Sequence, residues 1–357
     1  MSSNISNIYQ DFCDQIIAAR KSGQPLIIKG SGSKQFYGRS TTGDEINMQS
    51  CAGIISHEPT ELVITALAGT RLQEIESVLA QHGQMLPFEP PYFGDDATLG
   101  GMVACGLSGP RRPYAGSVRD YVLGIKCLTG KGETLTFGGQ VMKNVAGYDV
   151  SRLMTGALGT LGIILEASIK VLPRPEHEIT LTANTDFNTA MKNMNSWAGK
   201  SLSLSAACFH DSQLDIRLSG KKTAVMSAQK VLGIRESESG LDYWKQLREH
   251  QLDFFQDNTK PLWRLSVPSN TSAMDLQGEW LIDWGGAQRW LKTNESMDKI
   301  RRITQQAGGH ATLFRGGDRD SEIFHPLTPA LLQLHRRLKQ VFDPEGIINK
   351  GRMYRDF

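Results

Sequence analysis

The most distinctive segment of this chain reads Asp96-Ala-Thr-Leu-Gly-Gly-Met-Val-Ala-Cys-Gly-Leu-Ser-Gly109. Most of its residues have small side chains, which leave the backbone open to a close neighbour. A flat ligand that lies against the backbone requires such an approach. Tight packing of a helix against its neighbours requires the same residues, so the segment by itself leaves both explanations open.

A second glycine-rich segment, Ile28-Lys-Gly-Ser-Gly-Ser-Lys-Gln35, directly follows Pro25-Leu-Ile-Ile-Lys29, which is predicted to be a short buried strand. Consecutive N–H groups in such a loop form a nest for anionic oxygens, and phosphate is the natural ligand. The loop is neither a Rossmann fingerprint, because Gln35 stands where the third glycine belongs, nor a Walker A loop. A plain turn is the alternative.

A third group of motifs comprises Lys143-Asn-Val-Ala-Gly-Tyr-Asp149, Leu153-Met-Thr-Gly156 and Gly159-Thr-Leu-Gly-Ile-Ile-Leu-Glu166. The glycines are predicted to form a turn directly before a strand, in which apolar and polar residues alternate from Ile163 to Val171. One side of the glycine turn is therefore expected to face a ligand. A tight turn without a ligand would have the same pattern.

Composition limits the classes of protein that fit. The chain has 357 residues, enough for about two domains. Its 39 Lys and Arg residues nearly balance 37 Asp and Glu residues, for a net charge of +2. This excess is too small for a protein that neutralises many phosphates, so nucleic acid is not an expected partner.

The cysteines and the N-terminal region indicate a cytoplasmic protein. The five cysteines are widely spaced and include no C-x-x-C pair, which excludes a disulfide framework and predicts no metal site. The N-terminal residues lack a signal-peptide pattern, and no apolar run reaches the ~18 residues of a membrane span. We expect a cytoplasmic location, with peripheral attachment to the inner membrane through partners as the remaining option.

Residue usage divides the chain into two parts. Of the 36 glycines, 23 lie in residues 1–176, whereas all six tryptophans lie in residues 197–290. Pro173 and Pro175 end the alternating strand, and the boundary is predicted there. The second part alternates predicted strands and helices, typical of an antiparallel sheet covered by helices on one face, and the class is α+β. We expect its tryptophans to form a surface for a partner protein.

Local signals predict further elements. Thr70-Arg-Leu-Gln73 matches a capping box at the start of a helix that ends at Gly83. Residues 121–137 are predicted to form a hairpin. Thr328-Pro329 is predicted to begin a last helix that ends at Phe342, before Pro344.

In their order along residues 25–173, the three segments resemble the PCMH-type FAD-binding family, also called the vanillyl-alcohol-oxidase type. The matching motifs are T-L-G-G at 98–101, R-D-x-V at 119–122 and G-T-L-G-I-x-x-E at 159–166. The K-N-V-A-G-Y-D run and the closing residues 342–351 narrow the resemblance to the D-2-hydroxyacid dehydrogenase branch. Within that branch, the chain is similar to the smaller FAD-binding subunits of bacterial glycolate oxidase complexes.

The resemblance implies a domain order and a set of cofactor contacts. A two-part FAD-binding domain (residues 1–175) precedes an α+β cap domain with an antiparallel sheet (176–342), and a tail (343–357) returns to the first domain. The loop that binds the pyrophosphate of FAD would consist of Gly30, Ser31, Gly32, Ser33, Lys34 and Gln35. The ribityl chain and ring would contact Thr98, Gly100, Gly101, Cys105, Gly106 and Ser108, and backbone groups would come from Val122, Gly162 and Ile163.

The chain also departs from the family pattern. Residues 30–35 contain no histidine of the kind that tethers FAD in some relatives, so non-covalent FAD is expected. Catalytic relatives carry a histidine pair for a metal and a G-D-G-N strand, whereas residues 310–317 here read His-Ala-Thr-Leu-Phe-Arg-Gly-Gly, so no metal is expected. Arg264 and Arg315 are the candidate anchors for a substrate carboxylate, and His310 is the candidate base.

Three functions are compatible with these residues. The first is the FAD-carrying subunit of a glycolate (2-hydroxyacid) oxidase, an enzyme that would work beside a larger FAD-binding subunit and an iron–sulfur subunit. The second is a self-sufficient FAD-dependent 2-hydroxyacid oxidoreductase. The third is a non-catalytic assembly subunit that FAD stabilises.

Overall fold

The computed structural model describes residues 2–139 and 149–357, with side chains from Ile5 onward. In the first part, the helices are α1 (Ser2–Ser22), α2 (Leu72–Gln81), α3 (Leu99–Cys105), α4 (Arg112–Ala115), α5 (Val118–Tyr121) and α6 (Val150–Met154). The strands are β1 (Leu26–Lys29), β2 (Asp44–Asn47), β3 (Ile54–Glu58), β4 (Val63–Leu67), β5 (Gln84–Met85), β6 (Val122–Leu128), β7 (Thr134–Gly138), β8 (Ile163–Lys170) and β9 (Leu172–Pro173).

Two β-sheets form the framework of this first part. The parallel pair β1–β2 carries the first glycine loop at its end, and a five-stranded antiparallel sheet has the order β3-β4-β8-β6-β7. The predicted hairpin is confirmed as β6 and β7, and the predicted alternating strand as β8. One large core of buried apolar side chains joins both layers to helices α1, α2 and α3.

The start of α2 differs from the capping-box prediction. Helix α2 begins at Leu72 after Arg71, which makes no side-chain cap hydrogen bond. The Thr70 hydroxyl instead accepts a hydrogen bond from the N–H of Gly53 at 2.9 Å and donates to its carbonyl at 3.0 Å. The Thr70 hydroxyl, which the local pattern predicts to cap the helix, thus makes a tertiary contact instead.

The second part is built on one eight-stranded sheet. Its strands are β10 (His177–Asn184), β11 (Leu204–His210), β12 (Gln213–Gly220), β13 (Arg235–Glu236), β14 (Leu262–Ser266), β15 (Glu279–Asp283), β16 (Gln288–Lys292) and β17 (His310–Arg315). Its helices are α7 (Phe187–Ala198), α8 (Lys222–Leu232), α9 (Asp242–Arg248), α10 (Asp253–Gln256), α11 (Met297–Gln306) and α12 (Pro329–Phe342).

This sheet has the predicted antiparallel architecture. Its order is β13-β10-β12-β11-β15-β16-β14-β17, and every paired neighbour is antiparallel. Sequence analysis missed β10 and β16. All residues of β16 are buried, so it shows little alternation of apolar and polar residues. Helices α7, α8 and α11 pack on the sheet, and its aromatic residues also meet the first part of the chain.

The two parts meet through apolar side chains and a buried ion-pair network. Tyr37, Leu107 and Leu158 of the first part share one cluster with Trp290 and Phe314 of the sheet. Beside it, Glu89 of the first part contacts Arg217 of the sheet at 2.9 Å and Arg111 at 3.1 Å. The side chains of both arginines are more than nine-tenths buried.

The prediction of a tryptophan surface for a partner is wrong. Trp244, Trp263 and Trp290 are buried, with exposures of 2%, 3% and 4%, and the other three are partly buried. Trp244 Nε1 donates a hydrogen bond to Thr180 inside the second part of the chain. These rings build internal cores, because a large aromatic side chain gains most when it leaves water.

The last helix and the tail contact the first part of the chain. The predicted start of α12 is confirmed, because Thr328 is the N-cap and its hydroxyl accepts from the N–H of Leu331. Phe342 at its end belongs to the core of the first part, and Lys339 Nζ donates to the carbonyl of Thr160 at 2.7 Å. The tail then pairs Ile348 with Leu26 of β1 in a parallel bridge.

Within residues 2–139 and 149–357, no helix is long and apolar enough to cross a membrane.

Candidate functional site

Two adjoining clefts lie where the first glycine loop, α3 and the tail meet. Together with the open space at their mouths, they have volumes of about 540 and 410 Å³. The first cleft is lined by the whole loop from Gly30 to Gln35, and the second reaches Gly100, Gly159 and Gly162. Both are lined by Ile28, Gly30, Thr98, Gly101, Ala104, Leu158 and Asn349.

The first glycine loop presents free backbone donors to this cleft. Among the described residues, the N–H groups of Ser31, Gly32 and Lys34 donate to no other group of the chain. Gly32 has φ +79°, a left-handed conformation that glycine adopts without strain. Adjacent free N–H groups can bind anionic oxygens, which is the role that the sequence predicts for this loop.

The small residues of α3 serve two purposes. A Cβ at Gly100 would lie 2.8 Å from the Cβ of Ala68, and one at Gly30 would lie 2.5 Å from the hydroxyl of Thr98. These two glycines therefore let the loop, the helix and β4 pack closely. A Cβ at Gly101 would meet only the Thr98 hydroxyl, at 3.2 Å, so this position opens onto the cleft.

Buried cations and a thiol complete the wall of the first cleft. Lys34 is 6% exposed and donates to the carbonyl of Tyr92 at 3.0 Å, and burial lowers its pKa. Arg352 of the tail donates to the carbonyls of Gln35 and Tyr37, and burial lowers its pKa as well. Burial raises the pKa of the Cys105 thiol, which keeps it protonated.

Sequence reasoning missed Asn349 and Arg352 as cleft residues. It expected the tail to return to the first domain but assigned no side chain of the tail to the cofactor site. Asn349 binds both sides of the cleft: its side chain accepts from the N–H of Ile28 and donates to the carbonyl of Leu158. Both residues lie more than 300 positions after the first glycine loop, so no local sequence pattern could indicate that they meet it.

The remaining predicted FAD contacts lie apart from the clefts. Gly106 ends α3 with φ +62°, and a Cβ there would lie 3.0 Å from Gly156. Ser108 accepts from the N–H of Val118 and lines a separate pocket. Val122 and Ile163 lie in paired strands with buried side chains, and neither lines the two clefts.

The K-N-V-A-G-Y-D motif falls almost entirely outside the described residues, which resume at Asp149. Asp149 is the N-cap of α6, and its carboxylate accepts from the N–H of Arg152 at 3.0 Å. Further along, Gly159 has φ +69°, and a Cβ there would lie 2.8 Å from the side-chain nitrogen of Asn349. This glycine is therefore required for the tail to close against the cleft.

The three predicted catalytic residues do not form one site. Arg264 on β14 donates to the hydroxyl of Tyr37 at 3.0 Å and lines a pocket between the sheet and the first part of the chain. Arg315 lies over the ring of Phe36 at 4.3 Å and lines a different groove. His310 is exposed at the start of β17 and lines neither.

The structure places a different histidine in the Arg264 pocket. His250 is 6% exposed and stacks on Phe255 at 3.9 Å between ring centroids. Its Nδ1 is buried without a hydrogen-bond partner among the described residues. Burial, reinforced by Arg315 and Arg264, lowers its pKa well below the usual value, so the ring is neutral. The sequence around His250 carries no motif that marks it.

The same pocket contains one carboxyl group. Asp283 is 3% exposed, and its oxygens accept from the N–H of Trp284 at 2.7 Å and the amide of Gln288 at 3.3 Å. Burial raises its pKa to about 7, although these hydrogen bonds oppose the shift. Near neutral pH this side chain is therefore partly uncharged.

Metal-ligand sets were not expected from the sequence. Within the described part of the chain, no group of three or more His, Cys, Asp or Glu side chains is arranged to hold a metal ion. The five cysteines are free thiols, and Cys51, Cys127 and Cys208 are buried.

Comparison with known proteins identifies relatives over the full length and over the first part. The FAD binding domain family matches residues 9–138. The chain is 50% identical to the glycolate oxidase subunit GlcE of Escherichia coli over 345 residues, which cover 97% of each protein. It is 30% identical to the glycolate oxidase subunit GlcD of Bacillus subtilis over 49% of this chain and 40% of that protein.

A D-lactate dehydrogenase of Archaeoglobus fulgidus is 29% identical over 44% of this chain and 35% of its own length. Among solved structures, an alkyldihydroxyacetonephosphate synthase superposes with a TM-score of 0.65 at 17% identity, covering 95% of this chain and 74% of that one. This likeness concerns the fold. It agrees with the predicted α+β class of an FAD-binding domain followed by a sheet-based domain.

Proposed function

This chain belongs to the family of FAD-binding glycolate oxidase subunits, and from that membership we propose that it is the FAD-carrying subunit of a multi-subunit glycolate (2-hydroxyacid) oxidase. The observation that carries the proposal is 50% identity to the subunit GlcE over 97% of both chains. In this function, glycolate is oxidised to glyoxylate, and the electrons pass through flavin to a partner.

The two clefts have the features that a dinucleotide requires. The free N–H groups of Ser31, Gly32 and Lys34 suit the pyrophosphate, and the open face at Gly101 suits a part of the cofactor that lies against the backbone. We assign Gly30 to Gln35, Thr98, Gly100, Gly101, Cys105 and Gly162 to the FAD site, together with Asn349 and Arg352. Bound FAD would supply the acceptor for the electron pair of the substrate.

Non-covalent binding is part of the proposal. The nucleophilic side chains that line the first cleft include Lys29, Lys34 and Cys105, and each has a feature that opposes attack on a flavin. Lys29 Nζ is ion-paired with Glu45 at 3.0 Å. Lys34 Nζ is held by a hydrogen bond to the carbonyl of Tyr92, and Cys105 is kept as a thiol. The cleft therefore supports a flavin that leaves the denatured chain.

The domain boundaries also belong to the proposal, with one adjustment. We place an FAD-binding domain at residues 1–175 and the cap domain from residue 176. Because Phe342 and Lys339 contact the first part of the chain, we assign α12 together with the tail 343–357 to the FAD-binding domain. The cap domain then ends before Pro329.

Partners are proposed from the chemistry of the cofactor. A reduced flavin must transfer its electrons before it can react again. The five cysteines are distributed through both domains as free thiols, three of them buried, rather than gathered as ligands of a cluster. We therefore propose that a separate iron–sulfur subunit accepts the electrons and that a larger FAD-binding subunit completes the complex.

The test combines the lone chain with the reconstituted complex. The purified chain should be yellow but show little flavin bleaching when glycolate is added anaerobically, whereas glycolate oxidation should appear after its partner subunits are added. Rapid bleaching of the lone chain by glycolate would instead identify a self-sufficient oxidoreductase.

A second arm tests the assembly function. A variant of this chain that cannot retain FAD is added to the same partner subunits. Loss of glycolate oxidation supports a redox-active flavin in this chain. Full activity without this flavin would contradict the proposal and favour a non-catalytic assembly subunit.

A further inference from the structure

A pocket of about 330 Å³ lies between the sheet of the cap domain and the loop that follows α3. It is separate from the clefts assigned to FAD, since its lining residues are different ones. Aromatic rings form much of its wall, including Phe93, Trp290 and Phe314. Its polar side chains include Ser108, His250, Arg264 and Asp283.

Arg264 brings a positive charge to this pocket without a counterion. Within the described residues, its guanidinium donates a hydrogen bond to the neutral hydroxyl of Tyr37, at 3.0 Å. The rings of Tyr37 and Phe314 lie 5.7 Å from its central carbon. No carboxylate of the described residues lies within ion-pair distance of it. A half-buried guanidinium of this kind is matched in charge and geometry to a carboxylate ligand.

His250 brings a neutral imidazole to the same pocket. Its ring is fixed by Phe255, Trp290 and Phe314, with centroid distances of 3.9, 4.6 and 5.3 Å. Burying Nδ1 without a partner costs free energy unless a ligand or water satisfies it. A neutral imidazole donates from one nitrogen and accepts at the other, so a ligand hydroxyl is a suitable partner.

The remaining carboxyl group of the pocket is Asp283, whose pKa burial raises to about 7, which reduces its negative charge near neutral pH. Both oxygens of Asp283 already accept hydrogen bonds, from the backbone N–H of Trp284 and from Gln288. Arg248, the other cation of the lining, is paired with Glu249 at 2.7 Å. Among the described lining residues, Arg264 is therefore the cation that has no carboxylate partner.

We propose that this pocket binds a short 2-hydroxycarboxylate, with Arg264 paired to the carboxylate and His250 hydrogen-bonded to the 2-hydroxyl group. The choice of a 2-hydroxy acid, as opposed to another small carboxylate, rests on the proposed function. The aromatic rings of the wall provide apolar contact for the carbon chain of the acid. The cap domain of this chain then contributes its own substrate-binding side chains, in place of the exposed His310.

Binding, measured without turnover, tests the site. Isothermal titration calorimetry of the full FAD-loaded chain, kept anaerobic, compares glycolate with acetate, which lacks the hydroxyl group. The wild type should bind glycolate more tightly than acetate. Arg264→Met should weaken both ligands by about 10- to 100-fold, the effect expected for a lost charge-assisted hydrogen bond. Arg302→Met, at an exposed arginine on α11, is the matched control and should bind as the wild type does.

The histidine is tested by a change in selectivity. His250→Phe preserves an aromatic ring in its aromatic surroundings but removes both nitrogens. Acetate affinity should stay near the wild-type value, whereas the preference for glycolate should disappear. A general loss of structure would weaken both ligands together and would not remove the preference alone.

The outcomes separate this inference from the proposed function. An FAD-loaded chain that binds neither acid, or an Arg264→Met variant that binds glycolate normally, overturns the pocket assignment and leaves FAD binding intact. A chain that takes up no FAD contradicts the proposed function, and the titrations on it still test the pocket. If Arg264→Met does not fold, Arg264→Lys replaces it, and unchanged glycolate affinity in that variant overturns the role of the guanidinium.

Discussion

The side-chain oxygen of Asn349 accepts a hydrogen bond from the backbone N–H of Ile28 at 2.9 Å, although 321 residues separate them. Its amide nitrogen donates to the carbonyl of Leu158 at 2.8 Å. The tail thus joins the strand that precedes the first glycine loop to the glycine turn that precedes β8. The two clefts are completed only when the last residues of the chain have returned to its beginning.

Asn349→Ala should destabilise the protein by about 1–3 kcal/mol, because a buried donor and a buried acceptor lose their partner. FAD affinity should fall as well, since Asn349 lines both clefts. Urea denaturation and flavin titration measure the two effects. Asn294→Ala, at an exposed asparagine, is the control. An equal midpoint of unfolding in both variants would show that the tail contact contributes nothing.

Gly101→Val should abolish FAD retention and leave the secondary structure intact. A Cβ at Gly101 meets only the Thr98 hydroxyl, so the added side chain extends into the cleft with little internal strain. The ratio of absorbance at the flavin band to protein absorbance measures retention, and circular dichroism measures folding. Gly199→Val is the matched control, because a Cβ there meets only the carbonyl of Ser196 at 3.8 Å. Normal flavin content in Gly101→Val would make this helix face a packing surface only.

The purified protein should carry FAD that is released by acid or heat. The nucleophilic side chains that line the first cleft include Lys29, Lys34 and Cys105. The first lysine is ion-paired, the second is hydrogen-bonded to a carbonyl, and the thiol is protonated. Precipitation of the protein should leave a yellow supernatant. Flavin fluorescence that stays with the denatured chain on a gel would contradict this expectation.

Stability should depend on pH through Asp283. Burial raises its folded-state pKa from 3.8 to about 7, so the folded protein holds this proton more tightly than the unfolded chain does. The free energy of unfolding should therefore decrease as pH rises through this window, by up to about 1.4 kcal/mol per pH unit from this group.

Urea titrations between pH 5 and 8 compare the wild type with Asp283→Asn. The stability of the wild type relative to the variant should decrease with pH and level off above pH 7. Asp275→Asn, at an exposed position, should run parallel to the wild type. A constant difference between the wild type and Asp283→Asn would mean that this carboxyl does not titrate in the window.

Glu89→Gln should be strongly destabilising. Glu89 pairs with Arg217 and Arg111, whose side chains are 6% and 8% exposed, and the substitution removes the carboxylate that both share. Glu178 still pairs with Arg111 but lies 4.0 Å from Arg217, so Arg217 loses its nearest carboxylate. Breaking a buried ion pair from one side costs about 3–5 kcal/mol. Chemical denaturation measures the loss, and Glu61→Gln on the surface is the control. A cost below about 1 kcal/mol would show that the interdomain network does not hold the domains together.

Local patterns predicted a large part of the fold. The hairpin β6–β7, the strand β8 and the helix α12 depend on residues that are neighbours in sequence, and the structure confirms each of them. The capping box at Thr70 was wrong, because a tertiary hydrogen bond to Gly53 competes for the same hydroxyl. Strand β16 was missed because its residues are buried on both faces, which removes the alternation that marks a strand.

The sequence by itself determined the α+β class and the family, and it predicted the first glycine loop as the phosphate-binding loop, because these follow from small residues at fixed local spacing. Only the tertiary structure decided which distant side chains meet. It brought Asn349 and Arg352 to the cleft that we propose for FAD, and it put His250 rather than His310 into the pocket with Arg264. The physical reason is that burial, loss of a hydrogen-bond partner and contact between domains are properties of the packed chain, and no local pattern of residues encodes them.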